Sequence, residues 1–98
     1  MLDAISSIEE YTQGINYKKF LKNHLVQDGV IRQIEILGEA TKKISPEIKN
    51  KIPDIPWKDI AGMRDKLIHD YMGVDIEAVW DTIEKDIPEL KTKLKNIV

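Results

Sequence analysis

Cysteine is missing from all 98 residues, which removes disulfides, thiolate metal sites and cysteine nucleophiles and fits a reducing compartment, the cytoplasm by default. Long apolar runs are missing as well. Nothing approaches the ~20 consecutive apolar residues needed to cross a bilayer, and the opening MLDAISSIEEY carries acids where a signal peptide needs a basic start. The expectation is a soluble protein with no membrane partner. Nor is there an excess of positive charge: 15 basic against 17 acidic side chains leave a net −2. Broad, charge-driven coating of nucleic acid is thereby excluded, and any RNA contact needs a local basic patch. Only two histidines occur, without an H-E-x-x-H pattern, and scattered carboxylates alone make a poor metal site. No Gly-rich loop precedes a helix in the phosphate-binding manner, and no serine has the context of a nucleophile. Neither a metal nor a cofactor is expected.

Glycine and proline are scarce, at 5 and 4 residues, while Ile, Leu, Lys and Glu abound, a balance that favours helices over strands. Leu2, Ile5, Ile8 and Tyr11 recur at helical spacing, so residues 2 to 13 read as an amphipathic helix that Gly14 stops. The pattern is already under way at Leu2, so this helix is expected to extend upstream. Asn16 caps a short segment with Tyr17, Phe20 and Leu21, whose Lys18, Lys19 and Lys22 form the densest basic cluster of this half. That cluster reads either as a solvated face or as a contact for RNA or a partner, and Lys91, Lys93 and Lys95 are the competing basic tail for substrate. His24 reads as a surface residue.

From about Leu25 to Ile44 runs the longest periodic stretch, with Val26, Val30, Ile34, Leu37 and Thr41 in its stripe. Gly38 sits in the middle of it, where only close helix packing excuses a residue about 1 kcal/mol worse than Ala. Ser45 and Pro46 open a short helical piece that Pro53 ends. Pro56 starts another helix, with Trp57, Ile60, Ala61, Leu67 and Ile68 in its stripe and Met72 and Gly73 at its close. Asp75 caps the last stretch, from Ile76 to Ile97, which keeps phase across Pro88 with a kink or brief break near Asp86. The fold expected over residues 1–98 is one all-α domain, an antiparallel four-helix bundle with short additional helices.

Residues 64 to 71 read RDKLIHDY. Arg64 and Tyr71 fall within an apolar stripe, and a guanidinium there needs a partner or a watered groove. At ~100° per residue Arg64 and Tyr71 lie within about 20° of each other on a helix, whereas Arg64 and His69 diverge by about 140°. Asp65 and His69, at i and i+4, share a face, so the carboxylate can fix the imidazole tautomer. If Arg64 and His69 serve one site, either the helix loosens or a second copy of the chain completes it. Without a metal, such a pair can cleave RNA, where the substrate's own 2′-hydroxyl is the nucleophile: His moves protons and Arg braces the phosphoryl charge. One His does not readily act as both acid and base. A two-fold dimer supplies two. Two rivals stand beside this reading: a non-catalytic helical dimer whose motif binds the phosphate of a nucleotide without cleaving, and a structural dimer with Arg64 paired to Asp65 or Asp59.

RDKLIHDY, preceded by PDIPWKDIAGM and followed by MGVD, resembles the HepT-type ribonuclease toxins of the HEPN superfamily. The resemblance extends to QDGVIRQIEILGEATKKIS upstream and DIEAVWDTIEKDIPELK downstream, nearly the whole chain. It implies a helical bundle that dimerises through its motif helices and forms one composite, metal-independent RNase cleft. Arg64 and His69 match the catalytic pair, and Asp65 the polar position after the Arg. Tyr71 matches the tyrosine to which a partner nucleotidyltransferase of the MNT type transfers AMP, silencing the toxin.

Overall fold

Every regular element described is helical. The structure, a computed structural model, describes residues 1–63 and 75–96. Among them α1 spans Leu2–Thr12, α2 Tyr17–Lys22, α3 His24–Lys42, α4 Pro46–Lys51 and α5 Trp57–Ala61. Beyond the undescribed stretch come α6 over Ile76–Asp81, a π-helical turn over Thr82–Asp86 and α7 over Ile87–Lys95. The all-α expectation is met. No helix among the described residues is long and apolar enough to cross a membrane.

Local chemistry sets the boundaries. Gly14 leaves α1 at φ +73°, a left-handed conformation that suits a residue without Cβ. The side chains of Asn16, Asn23, Ser45 and Asp75 each accept from the backbone N–H three residues on, at the starts of α2, α3, α4 and α6. Each such cap satisfies a donor that the first helical turn otherwise leaves open.

Helix α3 is the central element. Its Val30, Ile34, Leu37 and Thr41 are buried, and it lies against both α1 and α5. Tyr11, at the end of α1, lays its ring over Gly29, early in α3, so the two helices run antiparallel. Leu2 and Leu94 line one apolar groove, while Glu9 bonds Lys91 at 2.8 Å, which sets α7 antiparallel to α1 on its other side. Gly38 faces α5, as its position in the stripe predicts: a Cβ there would lie 3.5 Å from the carbonyl oxygens of Ile60 and Ala61. That is ordinary contact and no clash. Gly38→Ala should therefore raise stability by about 0.5–1 kcal/mol through helix propensity, read as a Tm increase of roughly 3–6 °C. A decrease would mean that α3 and α5 approach more closely than the structure has them.

Two buried polar side chains were not anticipated from the sequence. Gln27 donates through Nε2 to the carbonyls of Phe20 at 2.8 Å and Leu21 at 3.1 Å, closing the last turn of α2 onto α3. Gln27→Leu keeps the volume but leaves the Leu21 carbonyl without that donor, and should cost about 1–2 kcal/mol in urea unfolding; an unchanged midpoint would show that the bond is idle. Thr82 is buried with its hydroxyl bonded to the Ala78 carbonyl at 2.9 Å. It opens the π-helical turn, in which the Ile87 N–H reaches Thr82 O. The break expected near Asp86 thus takes the form of a wider turn. Pro88 supplies no N–H and its ring crowds the carbonyl four residues back, so the helix admits an extra residue before α7 resumes.

Candidate functional site

Arg64, Asp65, His69 and Tyr71 lie outside the described residues. What the structure describes is the frame on either side of them, ending at Met63 and resuming at Asp75.

The upstream frame is built on Trp57. Its indole Nε1 donates to the carbonyls of Ile52 at 3.0 Å and Lys49 at 3.2 Å, pinning the end of α4 to the start of α5. Ile55, Ile60 and Met63 are buried beneath. The sequence reading took one helix from Pro56 through the motif, but the structure interrupts it: α5 ends at Ala61, and Gly62 adopts φ −91°, ψ 0°. Glycine loses more conformational freedom in a helix than any other residue, and the break falls where that cost is incurred. Met63 is helical again. Arg64 follows it by a single peptide bond, so its Cα stands about 3.8 Å from a buried, fixed residue.

The downstream frame is built on Trp80. Asp75 caps α6 by accepting from the Ala78 N–H at 3.0 Å. One turn further, Trp80 packs on Phe20 with ring centroids 5.0 Å apart and on Tyr17 at 6.0 Å. His69 precedes Asp75 by six residues, which bounds their Cα separation at roughly 20 Å whatever the path between them. The motif stretch is tethered at both ends to residues whose positions the core sets.

Beside Met63 opens a cavity of about 440 Å³ between α5 and the π turn with α7. Its charged lining is Lys58, Asp59, Asp86, Glu89 and Lys93, and Lys93 is bonded to Glu89 at 3.1 Å. Counted over the described residues, three carboxylates against two ammonium groups make this part of the wall a poor seat for phosphate. The burial of Ile55 and the two hydrogen bonds donated by the Trp57 indole are not legible in the periodicity; a Trp one residue after a proline that starts a helix is the available signal.

The described residues form an all-α bundle, and the chain carries RDKLIHDY at positions 64 to 71. The chain belongs to the ribonuclease HepT-like family, which matches residues 1–97. It is 47% identical over 95 residues to a protein of Thermococcus cleftensis named probable ribonuclease HepT, covering 97% of this chain and 86% of that one. A protein of Methanocaldococcus jannaschii named as a candidate RNase is 44% identical over the whole chain, which spans 84% of its length. A further candidate RNase, of Caldanaerobacter subterraneus subsp. tengcongensis, is 45% identical over the whole chain, which spans 88% of it. No solved structure matches the chain.

Proposed function

We propose that this chain is a metal-independent endoribonuclease toxin of the cytoplasm, in which two copies pair through their RDKLIHDY stretches and cut RNA in the cleft they share. The observation that carries this reading is the match of residues 1–97 to the ribonuclease HepT-like family in a chain that retains Arg64 and His69. Relatives from three organisms that bear RNase names support it. One His69 removes the proton of the ribose 2′-hydroxyl, whose oxygen attacks the adjacent phosphorus. The His69 of the second copy protonates the departing 5′-oxygen. Arg64 braces the charge that gathers on the phosphoryl oxygens, its planar fork matching two of them at once. Asp65 holds the imidazole in the tautomer each step needs.

Cleavage of a labelled RNA in EDTA tests the chemistry. Wild type should leave a 2′,3′-cyclic phosphate, or the 3′-phosphate derived from it, opposite a 5′-hydroxyl. A 3′-hydroxyl product, or loss of all cleavage on chelation, would point instead to water activated by a metal.

Silencing belongs to the same reading. Transfer of AMP to Tyr71 by an MNT-type nucleotidyltransferase places bulk and negative charge where the RNA phosphate must lie. Intact mass after incubation with such a partner and ATP should show one AMP on wild type and none on Tyr71→Phe. An adduct that survives on the Phe variant contradicts the assignment.

A further inference from the structure

We propose that the exposed face of α2, continued by His24 at the start of α3, is the track on which the RNA strand lies outside the cleft, held by its phosphates. The proposal rests on the ribonuclease reading above and adds the surface that delivers substrate to it.

The sequence offers two basic stretches, and the structure separates them. In the C-terminal one, Lys91 is bonded to Glu9 at 2.8 Å and Lys93 to Glu89 at 3.1 Å. Their charges are already answered within the protein. On α2 the case is opposite: the helix reads YKKFLK and contains no acid. Lys18, Lys19 and Lys22 are exposed, and among the described residues none of them forms an ion pair. On a helix they fall within an arc of about 100°, opposite in role to Phe20, which is fully buried. Lys18 and Lys22, at i and i+4, repel each other on the helix surface. An anion laid along the face relieves that repulsion.

The face is concave as well as charged. A shallow groove of about 520 Å³ is lined by Ile15, Lys19, Lys22, Asn23 and His24. Asn23 spends its Oδ1 on capping α3, so its amide nitrogen is left to donate. The groove therefore presents donors from two lysines, an amide and an imidazole, which suits phosphate and ribose oxygens. Leu25, the next residue, is 82% exposed and provides an apolar surface for a base. The track is also rigidly joined to the motif frame, because α2 docks through Phe20 and Tyr17 on Trp80 of α6. That connection favours RNA over an acidic protein as the anion.

The test measures binding of a labelled single-stranded RNA by anisotropy across a salt series, in a His69→Ala background so that the strand survives. Converting Lys18, Lys19 and Lys22 together to Gln should flatten the slope of log K against log salt by about 2, since each lost phosphate contact removes about 0.7 on a single strand, and weaken binding at 50 mM salt by at least about tenfold. In the His69-containing protein the same triple change should raise KM for long RNA and leave kcat in place. Converting Lys91 and Lys93 to Gln should leave the slope as it was. An unchanged slope in the triple variant, with wild type still cleaving RNA, overturns the track and spares the nuclease reading. A flattened slope in a protein that never cleaves RNA overturns the nuclease reading and keeps the surface. Loss of affinity for polyglutamate with RNA binding intact would assign the face to an acidic protein and overturn the proposal.

Discussion

His69→Ala should lower the rate of RNA cleavage by about 10²–10⁴-fold, the loss that follows removal of a general acid–base group, while leaving the fold and the dimer in place. Arg64→Ala should cost about 10²–10³-fold, the scale of one lost donor to a developing oxyanion. Lysine at position 64 should rescue only part of that loss, because an ammonium restores the charge without the planar fork. The double variant should be little worse than His69→Ala alone, since groups that act in one step are not additive. Mixing gives the sharper result. If each cut needs one His69 as base and another as acid, a random equal mixture of wild-type and His69→Ala chains leaves only about a quarter of dimers fully equipped. Activity should then fall with the square of the wild-type fraction. A linear fall would mean that a single imidazole suffices, and the two-histidine mechanism would go with it. Full activity in either single variant would remove the assigned chemistry altogether.

Trp80→Ala carries the largest expected effect on stability, about 3–5 kcal/mol. The indole is 9% exposed and packs on both Phe20 and Tyr17, so its removal opens a cavity between α2 and α6. A domain of this size holds roughly 5–15 kcal/mol in total. The loss should lower the urea midpoint by roughly 1–5 M at an m-value of about 1–3 kcal/mol per molar. A change below about 1 kcal/mol would show that α2 is not docked through this residue. Combining Trp80→Ala with Phe20→Ala should cost less than the sum of the two, because they share one contact. Trp80 lies in α6, the first described helix after the motif stretch, so partial destabilisation here should also loosen one tether of the candidate site. RNA cleavage by Trp80→Phe, which keeps an aromatic ring against Phe20, should fall less than that by Trp80→Ala.

What could be read before any coordinates were the features settled within a few residues of chain. The four caps at Asn16, Asn23, Ser45 and Asp75 each bond a backbone group three positions away, and of these Asn16, Ser45 and Asp75 were legible as caps. The buried stripe of α3, the stop at Gly14 and the disturbance ahead of Pro88 are equally local. The Arg64 and His69 motif is equally local in the sequence, and it lies outside the described residues.

The tertiary structure decided what depends on how helices cross. Nothing near Gln27 in the chain announces that a polar side chain will be buried; the carbonyls it serves lie 6 and 7 residues back, and they converge only once α2 folds against α3. The two basic stretches are alike as sequence. They part company because the packing of α7 on α1 brings Lys91 to Glu9, 82 residues away, whereas among the described residues no acid pairs with the lysines of α2. Capping is a bond between near neighbours whose geometry one helical turn dictates. Charge pairing across a bundle depends on the relative placement of whole helices, which only the assembled core determines.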